Sequence, residues 1–220
     1  MSAFIGPIHY WLYGKIKVVN SRERHIAEAA AAVCGDTVEE IQEQVWQTYG
    51  TPLPDVDLGE LIDHGNIHGW LQRQINIAES REAALVKELV EQCGTAKALL
   101  EDVFREHGAK YGQEAAGEGR HELASAPGIY KALNDYYLNG MPCDQSDLEV
   151  ESKPEIYAWS SGECIQQPNW KRAGVDEALI KGLYQLWLGA FVSAANPGYA
   201  FRVQRLEYGA ETRYEIYKVQ

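Results

Sequence analysis

Two stretches of this chain match each other without a gap, and they decide the fold. Residues 6–35 read GPIHYWLYGKIKVVNSRERHIAEAAAAVCG, and residues 65–94 read GNIHGWLQRQINIAESREAALVKELVEQCG. Eleven of the 30 aligned positions are identical, where average composition would give roughly 2 by chance. The identities include the rare residues His, Trp and Cys. The chain therefore contains an internal duplication, and matched positions should have matched environments.

Each copy predicts a helical hairpin. Ile8, Leu12 and Ile16 are spaced four residues apart, which places them on one face of a helix. Gly35 follows the first long helix and Gly94 the second, as is common at helix C-termini. A second helix completes each hairpin and is expected to end near Gly50 in the first copy and at Gly108 in the second, so the repeats span residues 6–50 and 65–109. Burial of the two apolar stripes against each other predicts a four-helix bundle over residues 1–110.

The rest of the chain has a different pattern. Residues 112–119 are rich in Gly, Ala and Glu and indicate a linker. Beyond it, helices and alternating strands predict a small α+β domain over residues 120–220. The predicted elements are a helix at 128–138, two short strands within 149–159, an apolar helix at 175–195, and an antiparallel hairpin of strands 199–206 and 212–219 around Gly209. The whole chain is thus expected to be of the α+β class.

Composition excludes some classes of protein and favours others. The hydrophobic fraction of 45% is typical of a folded globular chain. The net charge of −12 argues against nucleic-acid binding, which needs a basic face. No uncharged apolar stretch reaches 18 residues and the N-terminus lacks a signal-peptide pattern, so we expect a cytoplasmic protein that does not associate with membranes. In that compartment the four cysteines would be reduced.

The duplication repeats a histidine and a glutamate on roughly one face of each long helix. These residues are His9 and Glu23 in the first copy and His68 and Glu82 in the second. If the two helices cross antiparallel, His9 approaches Glu82 and Glu23 approaches His68, which would form a metal or acid–base site inside the bundle. Structural pairing of these side chains is the alternative interpretation. The antiparallel arrangement also places Cys34 and Cys93 of order 40 Å apart, at opposite ends of the helices.

A tryptophan and an arginine are repeated as well. Trp11 and Arg22 lie on one side of the first helix, and Trp70 and Arg81 repeat the spacing. Such pairs stack by cation–π contact. They are therefore candidates for binding a ligand or cofactor of unknown identity, and packing of the bundle is the alternative.

Two further cysteines lie in turn-like sequence of the C-terminal part, where a thiol is accessible. Cys143 follows Met141-Pro142, and Cys164 follows Ser160-Ser161-Gly162-Glu163. With His121 and Glu163 in the same part of the chain, either cysteine is a candidate nucleophile.

The region from Trp159 to Tyr217 resembles the C-terminal region of the L-2-amino-thiazoline-4-carboxylic acid hydrolase family, and more distantly hydrocarbon-binding domains of the vinyl-reductase type. The shared features are Cys164, Trp170, Gly174, the apolar helix, Asn196-Pro197, the strand Phe201-Arg-Val, and Gly209 before the last strand. Where that family has cysteine-containing segments, this chain has Leu186-Trp187 and Glu211-Thr212-Arg213. The resemblance implies an α+β fold that holds a ligand, and implies hydrolysis of a small cyclic amide-like substrate.

These observations favour a binding protein that holds a small molecule or a metal ion at the bundle or at its junction with the α+β domain. Two alternatives stay open. One is a hydrolase with Cys164 or Cys143 as nucleophile. The other is a structural protein in which the duplication serves dimerisation, so a homodimer is a further expectation.

Overall fold

The computed structural model describes residues 5–144, 146–162, 164–205 and 212–219. The chain forms two compact units. Unit 1 comprises residues 1–100, 138–141 and 166–180, and unit 2 comprises residues 101–137, 142–165 and 181–220. The fold is α+β, with a helical N-terminal part followed by a small antiparallel sheet, and this confirms the predicted class.

Unit 1 is built from the helices of the duplicated region. Both long helices of the repeats form as predicted, and a short helix precedes the second one. The helices are α1 (Pro7–Cys34), α2 (Thr37–Tyr49), α3 (Leu58–Leu61), α4 (Ile67–Gln92) and the first residues of α5 (Ala96–Glu118). A later segment, α7 (Gln167–Ala173), packs against α4, as do α1 and α2. Helix α7 was not predicted from the sequence.

The core of unit 1 lies between α1 and α4. Leu12 and Leu71, which are repeat equivalents, are 1% and 0% exposed, so both are buried as predicted. Ile8 is not part of this stripe, because 51% of it is exposed. The residues that face the core follow each other at alternating intervals of three and four, the spacing of a coiled-coil seam. In α1 they are His9, Leu12, Ile16, Val19, Glu23, Ile26 and Ala30.

Helix α5 differs from the prediction, because it does not end at Gly108 and no linker begins at residue 112. It continues to Glu118, and its residues from 101 onward belong to unit 2. The glycines that suggested a boundary are packing residues. A Cβ on Gly108 would lie 2.3 Å from the Trp187 carbonyl oxygen, and a Cβ on Gly112 would lie 2.3 Å from that of Phe191. Glycine at both positions lets the backbones of two helices approach closely.

Unit 2 combines helices with the sheet. Its helices are most of α5, α6 (Ala126–Tyr136) and α8 (Glu177–Ala195) from residue 181 onward. The sheet is antiparallel in the order β1-β2-β4-β3. Its strands are β1 (Asp147–Lys153), β2 (Ile156–Ser161), β3 (Tyr199–Arg205) and β4 (Thr212–Lys218). The four strands agree with the two predicted strand pairs, whereas the turn at Gly209 lies outside the described residues.

The register of the sheet places Tyr157, Trp159, Phe201 and Tyr214 on one face, whereas Tyr217 lies on the other. Trp159 pairs with Tyr214, and Val203 pairs with Tyr214 from the other side. The Trp159 and Tyr214 rings stack with centroids 5.5 Å apart. Tyr130 of α6 stacks on Tyr157 of the same sheet, at 4.2 Å. Burial of these rings between the sheet and α6 forms much of the core of unit 2.

Helix α8 is the most apolar helix of the chain. By length and composition alone it is apolar enough to cross a membrane, and it is the one such helix among the described residues. Core helices of soluble proteins meet the same criterion. In unit 2, α8 buries Trp187 and Phe191 completely, and the Trp187 indole Nε1 donates to His107 Nδ1 of α5 at 2.9 Å.

Candidate functional site

The two long repeat helices lie side by side and run parallel. At their N-terminal ends, the rings of His9 and His68 have centroids 5.5 Å apart. At their C-terminal ends, Cys34 and Cys93 form a disulfide. Each pair joins equivalent residues of the two copies, 59 positions apart. The prediction of an antiparallel arrangement is therefore wrong, and so is the expectation that Cys34 and Cys93 are reduced and distant.

The repeated Arg-Glu motif forms two reciprocal ion pairs between the helices. Arg22 donates from Nε to Glu82 Oε1 at 2.7 Å and from Nη2 to Oε2 at 2.9 Å. Arg81 donates from Nε to Glu23 Oε2 at 2.5 Å. All four side chains are at most 2% exposed. Each carboxylate neutralises a guanidinium that would otherwise be buried without a counter-charge, which explains why both copies keep both residues.

The two ion pairs have different surroundings. Glu23 also accepts a hydrogen bond from the Trp46 indole at 3.0 Å, and Asn20 Oδ1 accepts one from Arg81 Nη2 at 2.6 Å. Burial raises the pKa of Glu23, although Arg81 and the Trp46 indole act in the opposite direction. The position of Asn20 in the first copy is that of Glu79 in the second, because the copies differ by 59 residues.

Glu79 begins a polar network that reaches α7. Asn169 donates from Nδ2 to Glu79 Oε2 at 2.6 Å, and its Oδ1 accepts from Arg172 Nη1 at 3.1 Å. Arg172 also donates to Ser80 Oγ at 3.3 Å. Desolvation raises the pKa of Glu79 to about 8, against the smaller opposing effect of the Asn169 hydrogen bond. Sequence reasoning missed this network, although the offset of 59 pairs Glu79 with Asn20 and could have pointed to it.

The structure does not bring the four candidate metal ligands together. His9 and His68 are neighbours, whereas Glu23 and Glu82 bind arginines. In the described part of the chain, no three His, Cys, Asp or Glu side chains are grouped so that they could hold a metal ion. His9 already has a hydrogen-bond partner, because its Nδ1 accepts from the Gly6 amide at 2.8 Å. A neutral His9 then carries its proton on Nε2, which is the nitrogen that a metal would need.

The tryptophans of the repeats lie in or against the core of unit 1, and their predicted role in binding a ligand stays a prediction. Trp70 is 8% exposed and lies within the core of unit 1, and Trp11 packs against that core. The ammonium nitrogen of Lys15, rather than Arg22, lies over the Trp11 ring, 3.6 Å from its centroid. Arg22 and Arg81 form ion pairs with glutamates. Neither these arginines nor the two tryptophans line the cavity that the structure describes.

The candidate nucleophiles lie in unit 2, as does His121. Cys143 is exposed, and its thiol is 4.0 Å from the carboxylate of Asp144. Cys164 is half-buried near Tyr214, and burial is the main reason that the pKa of this tyrosine rises to about 12. His121 Nε2 is bonded to Asp135 at 2.8 Å. Glu163 lies outside the described residues.

Unit 2 also contains an open groove of about 690 Å³ between α5, α8 and β3. We call it the α5–α8 groove. Its six apolar lining residues are all partly buried, and we call them its floor; three of its four polar lining residues are exposed, and we call the four its rim. The floor residues are Ala109, Leu186, Gly189, Ala190, Ala194 and Phe201, and the rim residues are Arg105, Glu106, Gln185 and Ser193. Its volume is within the range of small-molecule sites, about 300–1,000 Å³.

Comparison of the chain with protein-family models, with curated proteins and with solved structures found no match. The resemblance to the thiazoline hydrolase family therefore stays a prediction.

Proposed function

We propose that this protein binds a small, largely apolar molecule in the α5–α8 groove. One observation carries the proposal: an open groove of suitable volume has an apolar floor and a polar rim. The half-exposed Phe201 ring and Leu186 side chain would cover an apolar ligand, and burial of their surface would favour binding. Arg105 and Gln185 at the rim can donate hydrogen bonds, which suits a ligand with one polar end.

The groove involves both parts of the sequence that the duplication analysis distinguished. Ala109 ends the second repeat, whereas Ala190 and Phe201 come from the C-terminal α+β region. This supports binding at the junction of the repeats with that region, which the sequence favoured. Metal is not part of the proposal, since no ligand set supports it among the residues described.

Native mass spectrometry of the purified protein tests the proposal. We expect a bound organic molecule, or, for protein that is purified empty, binding of the apolar dye 1-anilinonaphthalene-8-sulfonate. Ala190→Trp places an indole on the groove floor and should abolish either signal. The matched control is Ala116→Trp, because Ala116 is an exposed alanine of α5 that does not line the groove. Equal binding by both variants would contradict the proposal.

The sequence predicts a cytoplasmic location, and the Cys34–Cys93 disulfide counts against it. Disulfides are rare in the cytosol and persist in oxidising compartments. Thiol trapping of the protein in intact cells, combined with fractionation, reports the redox state and the compartment together. A fully oxidised protein found outside the cytosol would contradict the cytoplasmic location, whereas groove binding would be unaffected.

A further inference from the structure

Glu79 is a buried carboxyl that holds two helices of unit 1 together. It lies on α4, it is 2% exposed, and its Oε2 accepts from Asn169 of α7 at 2.6 Å. Asn169 is itself 3% exposed. The only described hydrogen bond of the carboxyl therefore crosses from α4 to α7, and water does not reach it while the helices are in contact.

No cation within the described residues forms an ion pair with Glu79. The two fully buried guanidiniums of unit 1, Arg22 of α1 and Arg81 of α4, are already paired with Glu82 and Glu23. From α7, Arg172 reaches Asn169 and Ser80. From α2, the buried side chains are apolar: Val38, Ile41 and Val45. The buried ammonium of Lys15, on α1, lies over the Trp11 ring. Glu82 raises the pKa of Glu79 and Arg22 lowers it, each by less than desolvation raises it. An ionised Glu79 would therefore be a buried charge with no ion-pair partner among the described residues.

The duplication gives independent support for a neutral side chain at this position. The equivalent residue in the first copy is Asn20, an amide that is always neutral. Asn20 is 8% exposed and accepts a hydrogen bond through its Oδ1. Asn20 is one methylene shorter than a glutamate and its acceptor faces the Arg81 guanidinium, but like a protonated carboxyl it is neutral and presents a carbonyl oxygen. The position is therefore filled by a neutral side chain in the first copy.

We propose that Glu79 acts as a proton-operated latch, which holds α7 against α4 when it is protonated and releases α7 when it loses its proton to solvent. The reason is hydration. A carboxylate at this position needs water or a counter-ion, and water can enter only if α7 moves away from α4. With a pKa raised to about 8 by desolvation, the latch would open in mildly alkaline solution.

Hydrogen exchange of the intact protein, followed by mass spectrometry, tests the latch. The measurement compares residues 167–173 at pH 7 and pH 9, after correction for the intrinsic effect of pH on exchange. For a group with a pKa of about 8, the ionised fraction rises roughly tenfold over this interval. We expect exchange in α7 to rise by a similar factor in the wild type. Glu79→Gln, which is permanently neutral and keeps the carbonyl acceptor, should show less than about a twofold rise.

The matched control is Glu91→Gln, because Glu91 lies on the same helix but is exposed and bonded to Lys87. It should behave like the wild type. Equal opening of α7 in the wild type and in Glu79→Gln would overturn the proposal.

A second measurement on the wild type keeps the test decisive if Glu79→Gln does not fold. NMR of protein labelled with ¹³C at the glutamate side chains should show one carboxyl that titrates above pH 7. Absence of such a carboxyl would also overturn the latch. The latch is independent of the α5–α8 groove, so failure of either proposal leaves the other in place.

Discussion

Cys34 and Cys93 form a disulfide with a Cα–Cα distance of 6.1 Å, although 59 residues separate them in the chain. They are the last matched residues of the repeats before the terminal glycines. The bond joins the C-terminal ends of two parallel helices, and it sets the register in which the copies pair. Its contribution to stability is open to direct measurement.

Reduction of this disulfide should destabilise the protein. Closing a loop of this length restricts the unfolded chain and stabilises the native state by about 4 kcal/mol in the loop-entropy account. Denaturant unfolding with and without dithiothreitol measures the difference. Cys34→Ser should have the stability of the reduced wild type and should no longer respond to reductant, whereas Cys143→Ser should leave the disulfide effect unchanged. A wild type unaffected by reductant would show that the bond is absent in solution.

Shortening a side chain that is buried between α1 and α4 should lower the free energy of unfolding. Leu71 is fully buried between α1 and α4, so Leu71→Ala should lower the free energy of unfolding by ~2–5 kcal/mol. Ile8→Ala is the control, because Ile8 is an exposed residue of α1. Thermal and denaturant unfolding report both variants. An unchanged unfolding midpoint for Leu71→Ala would contradict the burial of Leu71 between α1 and α4.

Removal of one partner of a reciprocal ion pair should be strongly destabilising, and removal of both partners should cost less than the sum of the two single changes. Arg22→Met leaves Glu82 buried without its counter-charge and should cost about 3–5 kcal/mol. The double variant Arg22→Met/Glu82→Leu should lose less than the sum of the two single variants. Arg105→Met removes exposed pairs with Glu101 and Asp102 and should cost less than about 1 kcal/mol. Additive effects at Arg22 and Glu82 would argue against their direct contact.

The free energy of unfolding should fall in acid because protonation of His9 favours the unfolded chain. Burial, and secondly the neighbouring His68, lower the pKa of His9 below its ordinary value of 6.5. The unfolded chain therefore binds this proton more readily than the folded one, so stability is complete above about pH 6.5 and falls as the pH drops towards the folded pKa. His9→Asn, whose Oδ1 can replace Nδ1 as acceptor for the Gly6 amide, should flatten the dependence. His64→Asn, at an exposed position, should retain it.

Two glycines of α5 should respond in opposite ways to the same substitution. Gly112→Ala places a methyl group 2.3 Å from the Phe191 carbonyl oxygen and should destabilise unit 2 by about 1–3 kcal/mol. A methyl group added at Gly117 would meet no atom within 4 Å, so Gly117→Ala should be neutral or stabilise the helix by up to about 1 kcal/mol. Melting temperatures of the two variants distinguish packing from helix propensity. Similar shifts would contradict the close approach of α5 and α8.

Much of the secondary structure follows from local pattern. The repeated spacing of apolar residues predicts α1 and α4, and alternation predicts β3 and β4. Two short strand candidates on either side of Pro154 correspond to β1 and β2. The sequence predicted the end of α5 wrongly at Gly108, because a glycine at a helix end and a glycine at a tight contact between helices look the same in sequence. Only the nearby carbonyl of Trp187 distinguishes them. Helix α7 is too short to give a periodic signal.

The sequence by itself determined that the chain is duplicated, that its long helices carry matched His, Arg, Glu and Cys residues, and that an α+β region follows. The tertiary structure alone decided how those residues meet. Helix periodicity assigns a residue to a face, but it carries no information on whether two such faces run parallel or antiparallel. The parallel choice joins Cys34 to Cys93 and directs each arginine to the glutamate of the other copy, because equivalent residues then lie at equal heights along the seam.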